Sequence, residues 1–210
     1  MNTSKTRWLP LTGIAFIILM IVGFIVGGEP PDASSPPEEI SQFYIDNDKR
    51  LTAAVVILVA ATIALVYFAS YLRTVLDRGE GENGLLSRVA FIGAVVFAVG
   101  GAIDGTILVA ISEAVDELDP TQVQTLQALW DNDYVPLMLG IILFTLSSGL
   151  SIVLHKSLPA WLGWTAIVIG VAGLVPVGGW VAFPGAGVWI LIVSVVLLIS
   201  EGKASTPVVE

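Results

Sequence analysis

An apolar run, Val89–Ile111, begins directly after Arg88, contains one carboxylate, Asp104, and closes at Ser112 and Glu113. At about 1.5 Å of rise per residue, a helix of that length crosses a hydrocarbon core of about 30 Å. In hydrocarbon every backbone N–H and C=O must be paired within the protein, so such a run leaves only a helix bundle or a closed barrel. The run is continuous rather than alternating, which selects the helix.

Five more runs repeat this logic, and the composition agrees. The chain is 55% hydrophobic and 13% charged, with mean hydropathy +0.88, whereas soluble domains carry about a quarter charged residues. The expected fold class is an all-α polytopic membrane protein with six transmembrane helices. One domain covers 1–210, with spans at 9–28, 51–72, 89–111, 134–154, 161–177 and 185–200 and a mobile polar cytoplasmic tail at 201–210. A signal peptide would carry a shorter apolar core, about 7–15 residues, and a small-residue cleavage site. No Ala-x-Ala follows 9–28, so that segment is read as a retained anchor.

Counting Lys and Arg orients the chain, because short cytoplasmic loops are enriched in both. With both termini inside, Lys5, Arg7, Arg73, Arg78, Arg88, Lys156 and Lys203 are cytoplasmic, against Lys49 and Arg50 outside. The acidic loops 29–50 and 112–133 then face out and make that side strongly negative, which excludes a nucleic-acid partner there by repulsion. Each outer loop is expected to hold a short amphipathic helix. The first carries Ile40, Phe43 and Tyr44 behind a Ser35 cap with Glu38 at the capping-box position, and is expected to lie on the membrane surface. The second follows Asp119-Pro120-Thr121-Gln122 and carries Val123, Leu126, Leu129 and Trp130 on one face.

Spans one and two resemble spans three and four in plan, and both surface helices end in Asp-Asn-Asp, at 46–48 and 131–133. A weaker echo links Trp8-Leu9 and Thr12 to Trp161-Leu162 and Thr165. This is the pattern of a parallel duplication, unlike the inverted repeats of many transporters.

Asp104 is the candidate intramembrane polar site. A charge at that depth costs at least about 2.5–3.5 kcal/mol on insertion scales, so the group should face protein or water. Beside it, Ala94, Ala98, Gly101 and Gly105 recur at spacings of 4, 3 and 4, a small-residue packing stripe that admits a neighbouring helix. Asp104 has two readings: a hydrogen-bonding group between helices, or a proton- or cation-coupling site, which usually needs a second ionisable group at depth. Both Asp-Asn-Asp motifs are read as caps on the return helices rather than divalent-ion sites, since neither continues with the Gly and Glu of an EF-hand loop. His155 and Lys156 suit the C-terminal end of the fourth span's dipole. Trp8, Trp130, Trp161, Trp164 and Trp180 fit an aromatic belt. The linker Gly178–Pro184, just after Pro176, is expected to be an interfacial turn.

Zero cysteines exclude disulfides, iron–sulfur clusters and thiol catalysis, and a single histidine excludes sites built from several imidazoles. No Ser/His/Asp set and no metal-ligand spacing appears, so neither catalysis, a metal nor a cofactor is expected. The stretch Ile40-Ser41-Gln42-Phe43-Tyr44 leading to Lys49-Arg50, the Asp119-Pro120 helix, and Leu158-Pro159-Ala160-Trp161-Leu162-Gly163-Trp164 resemble uncharacterised multi-span membrane proteins common in actinobacteria, a bacterial domain-of-unknown-function family. The resemblance implies a six-span bundle in a bacterial plasma membrane, with no activity to carry over. The expected role is a non-enzymatic accessory or lipid-associated component, its partners membrane lipid and a second copy or a membrane-complex subunit. The alternative is a small-solute or proton- or cation-coupled transporter using Asp104.

Overall fold

A computed structural model describes residues 8–81, 84–175 and 178–204, the last four by backbone alone. Lys5, Arg7, Pro176 and the tail beyond Ala204, all used in the sequence reading, lie outside the described residues, as does the side chain of Lys203. The described residues form helices and no strand: α1 (Leu11–Gly27), α2 (Pro37–Glu80), α3 (Leu85–Ala114), α4 (Pro120–Asp131), α5 (Tyr134–His155), α6 (Ala160–Ala172) and α7 (Gly179–Ala204). Four helical stretches, Pro37–Glu80, Leu85–Ala114, Pro120–His155 and Gly179–Ser200, are long and apolar enough to cross a membrane. The chain is an integral membrane protein on this ground. Leu11–Gly27 and Ala160–Ala172 are apolar but shorter.

Several boundaries differ from expectation: α6 ends at Ala172 rather than 177, and α7 runs on to Ala204, into the segment expected as a tail. The first surface helix and the second span are one helix, α2, about 66 Å long at 1.5 Å per residue, because no Gly or Pro interrupts Glu38–Arg78. Polarity changes along it, but the backbone has no reason to stop. Its start is also different: Pro36 is the cap residue and makes no side-chain cap bond, so Ser35 does not fill the role expected of it. Finally, the linker expected as a turn is helical from Gly179, with Pro184 inside α7. Proline has no N–H, so the carbonyl of Trp180, four residues back, loses its intrahelical partner there. By contrast α4 starts as its sequence implies, with Asp119 and Gln122 forming a capping box and Pro120 in the first turn.

The helices pack in a ring, α1 on α2, α2 on α3, α3 on α5, α5 on α6, α6 on α7, and α7 back on α1. The principal core, including Phe16, Leu65, Phe68, Phe97, Phe144, Ile152 and Trp189, fills its centre. A second core sits at the acidic end, where Ile40 and Tyr44 of α2 and Val123 of α4 bury against Leu108 and Ile111 of α3. The apolar face of the first surface segment is thus covered by protein rather than by the membrane surface, and Leu129 is exposed rather than part of the buried face of α4.

Candidate functional site

The contact between α3 and α5 organises the site. An ideal Cβ on Gly93 would stand 2.3 Å from Phe144 N, one on Gly140 2.4 Å from Phe97 N, and one on Gly100 2.9 Å from Leu137 N. The pairs 93 with 144, 97 with 140 and 100 with 137 advance along α3 as they retreat along α5, in steps of 4 and 3. That is a single antiparallel seam in which a glycine on one helix accepts a large side chain, and the backbone, of the other. One further step of 4 along the same register brings Asp104 to Asp133.

These two carboxyls do meet: Asp104 and Asp133 are within hydrogen-bonding reach of each other. Counted as carboxylates, neither supplies a donor, and Asp133 Oδ2 is buried with no partner. A hydrogen bond between the two carboxyls requires one of them to carry a proton. The outermost layer of the seam is therefore a polar pair, in the position where a buried polar residue fixes the register of packed helices. Asp133 was expected to cap α5, yet its side chain makes no cap bond; it turns to α3 instead.

Around this pair the acidic end is closed by a short network. The buried Tyr44 hydroxyl donates to Gln127 Oε1 at 2.6 Å, and Gln127 Nε2 donates to Asp131 Oδ1 at 2.8 Å. The backbone N–H of Ala33 donates to Asp131 Oδ2 at 2.9 Å, and Gln124 Nε2 donates to the carbonyls of Ala33 and Ser35. These bonds tie the 28–36 loop, α2 and α4 into a cap over the seam. Asp131 and Asp104 are both near enough to act electrostatically on the Tyr44 phenol.

The first Asp-Asn-Asp also has a role other than helix capping, because it lies inside α2. Asp48 Oδ1 accepts from Ser112 Oγ of α3 at 3.0 Å. Asn47 Oδ1 accepts from Arg50 at 3.2 Å, whose guanidinium also donates to the carbonyls of Val26 and Ile25 at the end of α1. Arg50 thereby supplies the C-terminal charge and donors that α1 lacks in its own sequence. Among the described residues no three His, Asp or Glu gather closely enough to hold a metal ion.

The candidate stripe falls beside the seam rather than on it. Gly105 and Gly101 turn toward Val55 and Thr62 of α2, where added Cβ atoms would meet carbons at 3.1 and 3.6 Å. Ala94 is buried in the principal core and Ala98 is half-buried. The sequence reading missed Gly93, Gly100, Gly140 and Asp133. The available signal was the spacing of 93, 97, 100 and 104, matched in reverse by 133, 137, 140 and 144.

The opposite end holds a second polar cluster. Glu80 accepts from the N–H groups of Leu86 and Ser87 at 3.0 and 2.8 Å and from Ser151 Oγ of α5 at 2.5 Å. It caps the start of α3 with a carboxylate, which the positive end of the helix dipole favours. Asp77 accepts from Ser87 Oγ and lies 3.5 Å from Arg73. His155 Nδ1 is 3.2 Å from the Ser151 carbonyl, at the end of α5 as expected.

Between these ends lies a cavity of about 250 Å³ bounded by α1, α2, α3, α5 and α7, and lined by apolar residues alone. Ile21, Phe24 and Val188 line it and are each at least half exposed, so it opens sideways between α1 and α7. A second, open groove of about 780 Å³ shares Phe183 and Pro184 with it and runs past Trp180 and Tyr134 to Asp131.

No family model, curated protein or solved structure matches the chain. The functional reading therefore stands on this geometry.

Proposed function

We propose that the protein is a non-enzymatic, lipid-associated component of a bacterial plasma membrane that crosses it six times with both termini in the cytoplasm. The observation that carries this reading is the apolar cavity with its sideways opening between α1 and α7. A wholly apolar cavity that faces water stays dry. One that faces hydrocarbon is filled by it, so in a membrane this opening admits lipid rather than a polar solute. The basic residues Arg73, Arg78, Arg88 and Lys156 lie at the end where α2 and α5 finish, and the acidic loops lie at the other. That separation supports the orientation.

Native mass spectrometry of the protein extracted gently from its membrane tests the reading. Retention of lipid in whole-number stoichiometry is expected. A chain that sheds all lipid under conditions that keep it folded, or one that arrives only as a subunit of a larger complex with its opening covered, overturns it.

The Asp104 and Asp133 pair favours a second reading, a proton- or cation-coupled transporter, because the second acid that coupling requires is present. Proton or solute flux in proteoliposomes, abolished by Asp104→Asn, would establish it. Absence of flux for wild-type protein across a panel of gradients leaves the pair as a register-setting contact.

A further inference from the structure

Resting on the lipid-associated reading, we infer that the cavity binds one hydrocarbon chain of a lipid whose headgroup carries an amine, with that headgroup at the acidic end. The shape comes first. The lining runs along α1 from Phe16 to Phe24, which is about 12 Å at 1.5 Å per residue. At about 250 Å³ the cavity is larger than an engineered apolar cavity of about 150 Å³ that takes up benzene, so it has room for a stretch of hydrocarbon chain.

Position gives the direction. The cavity and the open groove adjoin at Phe183 and Pro184, which line both, and the groove extends to Tyr134 and Asp131. A chain lying in the cavity therefore brings its polar end to that mouth. Charge then selects the headgroup. Among the described residues no Lys or Arg lines either space, and the neighbouring loops hold Glu29, Asp32, Asp131 and Asp133. The nearest cation, Arg50 at the end of α1, is already engaged by the carbonyls of Val26 and Ile25 and by Asn47. An ammonium finds Asp131, whose two oxygens each already accept one hydrogen bond and each keep a second lone pair.

The test uses the whole protein in nanodiscs made with either of two photoactivatable lipids of identical acyl chains, a phosphatidylethanolamine or a phosphatidylglycerol. A diazirine near the chain end is activated, and labelled peptides are mapped. Labelling concentrated at Phe97 and Ala94 is expected, several-fold greater from the ethanolamine lipid. Val188→Trp, at an exposed position on the rim, and Gly187→Leu, within the cavity, should each reduce it several-fold. Val188→Trp should leave the melting temperature in detergent unchanged. Labelling spread evenly over outer helix faces such as Ile63 and Val168 overturns the site while leaving lipid association intact. Equal labelling by the two lipids at the cavity overturns the headgroup assignment. Loss of all bound lipid in native mass spectrometry of the same sample removes the underlying reading as well.

Discussion

Gly93→Ala and Gly101→Ala are the same chemical change on the same helix, eight residues apart, and the structure assigns them opposite signs. At Gly93 the new Cβ would stand 2.3 Å from Phe144 N and 2.8 Å from Leu143 C. Both are backbone atoms and cannot rotate away, so α3 and α5 must part by about 1 Å, a gap that forfeits a quarter to a half of the dispersion well along the seam. Overpacking of this kind costs about 1–3 kcal/mol, and a backbone clash belongs at the upper end. Replacing glycine in a helix returns about 0.8–1 kcal/mol of propensity, leaving a net loss of about 2 kcal/mol. At Gly101 the nearest atoms are Thr62 Cγ2 at 3.6 Å and Leu137 Cδ2 at 3.9 Å, ordinary contacts, so only the propensity gain of up to about 1 kcal/mol remains. The two variants should therefore differ by about 3 kcal/mol in SDS-titrated unfolding followed by circular dichroism. Gly140→Ala should behave like Gly93→Ala. The double substitution should cost less than the sum, because helices already parted by one Cβ accept the next at lower cost. Equal midpoints for Gly93→Ala and Gly101→Ala would refute the seam.

Tyr44→Phe leaves the fully buried Gln127 Oε1 without its donor and should cost about 1–3 kcal/mol. Tyr44→Phe combined with Gln127→Leu should cost less than the two singles added, as read from thermal melts in detergent. Glu80→Gln removes one of two carboxylate oxygens that cap α3 and bind Ser151, and should lower stability by about 0.5–2 kcal/mol. The same change in Ser151→Ala background should have a smaller effect if the three groups act together. Asp32 is held below its ordinary carboxyl range by hydrogen bonds from the Ser34 side chain and backbone. Its folded value lies below its unfolded one, so its contribution is present above the unfolded value and is lost as pH falls through the folded value. Ser34→Ala should move the Asp32 titration, followed by carboxyl carbon NMR, back up toward the ordinary range.

Membrane insertion and helix identity are legible in this chain because run length alone settles them: twenty apolar residues have few other solutions. The capping box at Asp119 and Gln122 is legible for a similar reason, being a local exchange of bonds within one turn. Boundaries drawn from polarity fare less well. The change of composition near Arg50 marks where the surroundings of α2 change, while its backbone continues, since only Gly, Pro or a competing side chain stops a helix. The contact between Asp104 and Asp133 is harder still. It depends on which of two adjacent small-residue stripes on α3 meets α5, and Ala94, Ala98, Gly101 and Gly105 have the same spacing as the true seam, shifted by one residue. Only the reverse pattern on α5, with Gly140 opposite Phe97, separates the two.

The seam also explains why the cavity lies where it does. Glycine draws several helix pairs together: Gly93, Gly100 and Gly140 bring α3 and α5 together, Gly149 and Gly163 bring α5 against α6 so closely that each added Cβ would meet the other's carbonyl oxygen at 2.6 and 2.9 Å, and Gly13 brings the start of α1 against Ser194 of α7. Farther along α1, from Phe16 to Phe24, the side toward α7 carries phenylalanine instead. Phe16, Phe97, Phe183 and Phe24 form a chain of ring contacts with centroids 6.2, 6.1 and 6.2 Å apart. Aromatic pairs at that separation hold their helices wider than a glycine contact does. A ring of helices drawn tight by glycine elsewhere and spaced by aromatics along this stretch of α1 and α7 leaves unfilled volume at the spaced stretch. Pro184 weakens α7 next to that volume by freeing one carbonyl. The distribution of Gly and Phe, which composition alone hides, thus produces both the rigid polar layer at Asp104 and the apolar opening between α1 and α7. Phe97→Leu keeps a large apolar residue opposite Gly140 in that layer of the seam, whereas any side chain at 140 would set its Cβ against the backbone N and Cα of residue 97. Phe97→Leu also removes from the cavity the ring on which Phe16 and Phe183 rest, so the variant should fold while labelling by the photoactivatable lipid shifts away from α3.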